Sequence, residues 1–276
     1  MTWQAQLELD YTLEQGRSVA RFKHEGPLRI LQSLYPQGPG ICHNVLVHPP
    51  GGLVGGDTLD LRIRVGPSAH GLITTPGATR FYRSTGELAV QRTQIDLEPG
   101  ARLEWLPLEA LCFSGCKAEN HLRMNLAPGA ELIGWDVTAL GLPQSEKPFA
   151  SGRFLQHLEV PGLWLERAQL DATDERLLNS PLGLAGRRCL ATLFFISGRG
   201  IERQRREDWL EQTRACLATH RLSATAGVTS PNEQMVVLRA VTPLVEPAMD
   251  LLRQIWSLWR GHAWQIEAPA PRIWST

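Results

Sequence analysis

The sequence predicts a mainly β fold, a stacked and layered solenoid-like sheet structure in a single domain, with two α-helices in the C-terminal part. Three observations predict it. Glycines (25) and prolines (19) punctuate short apolar runs along the whole chain, the rhythm of many strands joined by turns. A weak repeat of roughly 30 residues runs through Gly66-Pro67-Ser68-Ala69, Glu98-Pro99-Gly100-Ala101-Arg102-Leu103-Glu104-Trp105 and Ala127-Pro128-Gly129-Ala130-Glu131-Leu132-Ile133-Gly134-Trp135, as expected of two-strand units that must stack to cover their open faces. Helical periodicity appears in two places, both after residue 200.

The elements follow in order. Residues 4–9 (Gln-Ala-Gln-Leu-Glu-Leu) and 58–65 (Thr-Leu-Asp-Leu-Arg-Ile-Arg-Val) alternate polar and apolar side chains and read as half-buried strands. Between them, two prolines and four glycines in the stretch from His48 to Thr58 let the backbone turn sharply. Gly51, Gly56 and Thr58 hold the spacing of a phosphate loop, but Asp57 stands where the phosphate-binding lysine is needed and would repel the ligand. No bound nucleotide is expected, and Asp57 is left as a metal or partner contact. The apolar run from Cys189 to Gly198 is a buried strand, well short of the ~20 residues of a membrane helix.

Beyond residue 200, Trp209, Leu210, Thr213, Cys216 and Leu217 form one stripe of an amphipathic helix, with Arg203, Arg205, Arg206, Glu207 and Glu211 left in water. A strand over residues 234–239 follows. Pro243 opens a second helix that runs to Trp259 with Gly261 just beyond its end, burying Val245, Met249, Leu252, Ile255, Trp256 and Trp259. The proline-rich tail cannot continue it. No linker divides the chain, so residues 1–276 are treated as one domain: a β-rich body to residue 200, then a helix-strand-helix unit and a Pro/Trp-rich segment over 201–276.

Composition narrows the function. Lysine plus arginine equals aspartate plus glutamate at 28 each, with pI near 7.1, so nothing marks a nucleic-acid partner. The first ten residues lack the basic start and apolar run of a secretory signal. Five irregularly spaced cysteines point to reduced thiols, and these features together to the cytoplasm.

The usual chemistries do not assemble. Cys112, Cys116 and His121 lack the partners for a tetrahedral zinc site. His43 and His48, at odd separation, diverge on a strand. Gly66-Pro67-Ser68-Ala69-His70 is not a nucleophile elbow. Asp171, Asp174 and Glu175 read as solvated charge in a turn. Nine tryptophans remain unusual: Trp256 reads as core, whereas Trp264 and Trp274 dock either on the body or on a partner.

Four segments together resemble the UreD family of urease accessory proteins, called UreH in some organisms. They are Gly51-Gly52-Leu53-Val54-Gly55-Gly56-Asp57, the stretch Leu72-Ile73-Thr74-Thr75-Pro76-Gly77-Ala78-Thr79-Arg80-Phe81-Tyr82-Arg83, Trp105-Leu106-Pro107-Leu108-Glu109, and Pro271-Arg272-Ile273-Trp274-Ser275-Thr276. One segment departs from the family pattern: Leu142 stands where an arginine is usual, and the Gly-Glu expected a few residues on is displaced at Glu146-Lys147.

The resemblance implies a scaffold or chaperone for nickel insertion, without catalytic turnover or a permanently bound cofactor, that bridges UreF and the GTPase UreG to apo-urease. It also implies an internal passage for transient Ni2+. Polar and acidic groups in such a passage must hold a divalent ion weakly and in series, because a tight thiolate or imidazole cage would trap it.

The expected residues are Asp57 and Glu109 on the nickel path, with Thr74, Thr75, Arg80 and Tyr82 shaping the functional surface. Trp264, Arg272 and Trp274 are expected to dock UreF or to close the sheet edge. Two rival readings stand beside this one. A carbohydrate-active β-solenoid hydrolase would need the Asp57 and Glu109 carboxyls about 5–10 Å apart in a cleft. A purely structural interaction protein would need neither.

Overall fold

Each corner of the repeat is a place where the chain leaves one sheet and enters another. The computed structural model describes residues 2–275, so Thr276 of the last family-like segment lies outside them. The first sheet holds β1 (Gln4–Glu14), β2 (Arg17–Glu25), β5 (Thr58–Val65), β8 (Ala89–Leu97), β11 (Cys116–Leu126), β13 (Gly152–Val160) and β14 (Trp164–Asp171). Its order is β14-β13-β11-β8-β5-β1-β2.

The second sheet holds β3 (Ser33–Leu34), β4 (Cys42–Val45), β6 (His70–Thr74), β9 (Arg102–Leu106), β12 (Glu131–Leu140), β15 (Cys189–Ser197), β16 (Ala226–Thr229) and β17 (Met235–Thr242). Its order is β16-β17-β15-β12-β9-β6-β4-β3, and the short β7 (Thr79–Phe81) and β10 (Ala110–Cys112) join it beside β12. Within the stacks, β1, β5, β8, β11 and β13 run parallel, as do β4, β6, β9 and β12.

The three corners β5–β6, β8–β9 and β11–β12 superpose as rungs. Ser68, Gly100 and Gly129 take the left-handed backbone at the same place in each (φ 57°, 72° and 81°). Glycine adopts that conformation without cost, and serine does so here as a single turn residue. Successive rungs are tied by Arg102 N–H donating to Ala69 O at 2.8 Å and Glu131 N–H to Ala101 O at 2.9 Å.

The first sheet is solvated on one face, which explains the strict alternation of β1 and β5: Leu7, Leu9, Leu61 and Ile63 point inward. The second sheet is covered on both. Its inner face (Leu103, Trp105, Leu132, Phe194) meets the first sheet, and its outer face (Leu106, Ile133, Trp135, Phe195) meets two helices, α2 (Arg203–Thr219) and α3 (Val245–Trp264). Burial on both faces is why residues 189–197 read as one apolar run.

Two expectations need correction. A short helix, α1 (Glu175–Asn179), interrupts the β body where a turn was expected; Asp174 caps it by accepting Leu177 N–H at 2.9 Å. In addition α3 begins at Val245, two residues after Pro243, and runs through Gly261 to Trp264, closing with Gln265 at φ 56°. Glycine in a helix costs about 1 kcal/mol, less than burying another tryptophan returns, so packing decides the end.

Candidate functional site

A line of polar side chains crosses the largely apolar inner faces. Period-2 alternation turns Gln91 and Thr93 of β8, Asn120 of β11 and Gln156 of β13 inward from the first sheet, and Asp136 and Thr138 of β12 inward from the second. Gln91 Nε2 donates to Asn120 Oδ1 at 3.4 Å, and Asn120 Nδ2 donates to Asp136 Oδ2 at 3.2 Å across the gap. Gln156 Nε2 and the Thr138 hydroxyl (3.3 Å) both donate to Asp136 Oδ1.

Further along, Thr192 Oγ1 of β15 donates to Glu166 Oε1 of β14 at 3.4 Å, and Arg239 Nε of β17 donates to Glu166 Oε2 at 3.0 Å. Arg239 brings the line back to solvent at the other side.

Asp136 is its electrostatic centre. Burial pushes its carboxyl up to about 7; the Thr138 hydrogen bond opposes this and the Glu166 charge adds to it. A carboxyl poised there can exchange a proton for a cation near neutral pH. Two buried atoms beside the line, Thr93 Oγ1 and His48 Nε2, have no hydrogen-bond partner. His48, Gln91 and Trp105 line a cavity of about 240 Å3 whose rim carries Thr75 and Arg80, so the line opens at that end.

The expected residues fall in several places. Asp57 is shut in at 1% exposure, accepting Trp3 N–H at 2.7 Å and Val54 N–H at 2.9 Å, and so fixes the glycine-rich loop to β1. Glu109 lines a separate groove of about 460 Å3 with Leu142, Arg188, Glu246 and Asp250. None of the grooves described here is lined by both carboxylates. Thr74 Oγ1 donates to Leu106 O at 2.6 Å, and Thr75 Oγ1 accepts Leu108 N–H at 2.9 Å. Tyr82 packs on Phe113 with ring centroids 4.8 Å apart.

Both late tryptophans dock on the body. Trp264 Nε1 donates to Glu131 Oε2 at 2.7 Å and Trp274 Nε1 to Thr74 Oγ1 at 2.8 Å, while Arg272 stays exposed.

A second buried network escaped sequence reading. Glu104 of β9 points to α3, where Oε1 accepts Arg260 Nε at 3.1 Å and lies 3.0 Å from His70 Nε2, and Oε2 accepts Trp256 Nε1 at 2.7 Å. Arg260 also donates to Gln37 Oε1 at 2.7 Å. Burial alone would raise the Glu104 pKa, but His70, Arg260 and Trp256 hold it below the usual value. Burial pushes the neighbouring His43 down to about 4, with Arg260 and His70 adding to the fall and Glu104 opposing it. The network clamps α3 onto the sheet. Its signal was a lone carboxylate between Leu103 and Trp105, as Asp136 was between Trp135 and Val137.

Among the described residues no three His, Cys, Asp or Glu side chains are grouped to hold a metal ion, and no helix is long and apolar enough to cross a membrane.

Fold and site thus define a class: a two-sheet β-solenoid with a polar line through its core and helices on one flank. The family model described as UreD urease accessory protein matches residues 4–275, and the chain belongs to that family. The urease accessory protein UreD of Polaromonas sp. (strain JS666) is 66% identical over 275 residues, covering 100% of both chains. That of Variovorax paradoxus is 64% identical and that of Leptothrix cholodnii 52%, each again covering 100% of both chains.

Proposed function

We propose that this chain serves urease maturation in the cytoplasm as a non-catalytic scaffold, conducting nickel as cargo along the polar line between its sheets. The observation that carries this reading is Asp136, held between the sheets by amide and hydroxyl donors and titrating near neutrality. Such a carboxyl can trade a proton for a divalent ion and release it again. Amide and hydroxyl oxygens on either side offer weak contacts in series. The relatives, each named a urease accessory protein, support urease as the destination.

In this reading Thr75 and Arg80 stand at the mouth, Asp57 holds the loop that frames it, and Thr74 and Tyr82 brace the segment between. Glu109 faces the larger groove as a contact for a partner, with UreF and UreG on one side of the bridge and apo-urease on the other. Trp264 and Trp274 hold the tail against the body, leaving Arg272 free to meet UreF.

The test is co-expression with the urease operon, measuring nickel content and activity of the purified urease. Without this chain, nickel content falls to background; Asp136→Asn and Asp136→Leu lower it while the variants keep the wild-type circular dichroism spectrum. Full loading in the chain's absence sinks the accessory role. Full loading with both variants sinks the path through Asp136 and leaves a purely structural bridge.

A further inference from the structure

The solvated face of the first sheet carries a histidine pair that the core line does not use. On the parallel strands β11 and β13, His121 and His157 are register partners, and both point outward. Their ring centroids are 5.4 Å apart with planes inclined by 36°. Each Nε2 faces a carboxylate two residues away on its own strand: Glu119 Oε2 at 2.9 Å from His121, and Glu159 Oε2 at 3.2 Å from His157.

Those contacts select the tautomer. With Nε2–H donating to a carboxylate, the lone pair of each neutral ring lies on Nδ1. Imidazole ligands to a metal ion commonly donate their other N–H to a carboxylate in this way, which orients the ring and raises its basicity. Neighbouring strands lie about 4.8 Å apart, so small ring rotations can bring two nitrogens within about 2.0–2.1 Å of one ion.

We propose that His121 and His157 form a cross-strand chelate for a borderline divalent transition-metal ion such as Ni2+ or Zn2+, oriented by Glu119 and Glu159 and completed by water. The side chains keep 30% and 22% of their exposure, so the ion has open positions and is held without a cage. Of the cations near the pair, Arg92 lies 3.4 Å from Asp60 and Arg123 lies 3.7 Å from Glu159, while the exposed Arg167 on β14 is the register partner of His157 and its long side chain extends into solvent. The proposal stands on the outer face and does not depend on the core path.

The experiment is calorimetric titration of the untagged full chain with Ni2+, with Zn2+ and with Ca2+. Wild type is expected to show a saturable site for Ni2+ and Zn2+ that Ca2+ does not occupy. His121→Gln and His157→Gln each weaken it at least tenfold, the double variant loses one equivalent, and Glu119→Gln weakens it by roughly tenfold. Circular dichroism confirms that these surface variants are folded. Equal stoichiometry and affinity in wild type and the double variant, no saturable site in wild type, or equal occupancy by Ca2+ overturns the proposal.

Discussion

The indole N–H of Trp256 donates to Glu104 Oε2 at 2.7 Å, joining α3 to the middle of the second sheet across 152 positions of sequence. The same carboxylate accepts from Arg260, and both members of that ion pair are fully buried. A buried pair need not add stability by itself, because desolvation offsets attraction, but it specifies which helix turn meets which strand.

Removing one partner leaves an uncompensated buried charge. Glu104→Ala should therefore cost about 3–5 kcal/mol, and Glu104→Gln should also destabilise because Arg260 keeps its charge. Urea unfolding followed by tryptophan fluorescence reads this directly. A loss below about 1 kcal/mol for Glu104→Ala would mean that the helix is held by apolar packing alone.

Asp136 imposes a pH dependence of definite sign. Its carboxyl ordinarily titrates at 3.8 and in the folded chain at about 7, so between these values the native state binds more protons than the unfolded state. Its contribution to stability is full below the lower value and is lost as pH rises through the upper. At about 1.4 kcal/mol per pH unit the total is on the order of 4 kcal/mol. Asp136→Asn should flatten this fall, gaining on wild type between about pH 5 and pH 8. Parallel stability curves for the two proteins across that range would contradict it.

The tail is expected to contribute to the stability of the isolated chain. Trp274 lies 5.4 Å from Trp135 and 5.6 Å from Trp256 by ring centroid, and bonds to Thr74. Trp274→Ala should cost about 2–3 kcal/mol, lowering the melting temperature by roughly 4–10 °C, whereas Trp274→Phe should lose only about 1 kcal/mol with the hydrogen bond. Calorimetric melting distinguishes them. Unchanged melting of Trp274→Ala would show that the tail is undocked in solution.

Much of the architecture is legible in the sequence. Alternation along residues 4–9 and 58–65, the repeated Pro-x-Ala corners and the buried stripe of α2 are short-range patterns, set by the two-residue period of strands and the 3.6-residue period of helices. The candidate site is less so. Asp57, flanked by its glycines, caps a loop, whereas Asp136 and Glu104 lie inside apolar runs that give no sign of their partners.

By itself the sequence determined the fold class, the corners and the family, because these are written in local periodicity and in motifs that keep their order along the chain. Tertiary structure decided the rest. That Asp136 meets Asn120 between the sheets while Glu104 faces a helix, that His121 stands beside His157, and that α3 continues to Trp264 all depend on strand register and layer order. A strand's alternation tells that two side chains point opposite ways; only the packed neighbour on each face fixes what either one touches.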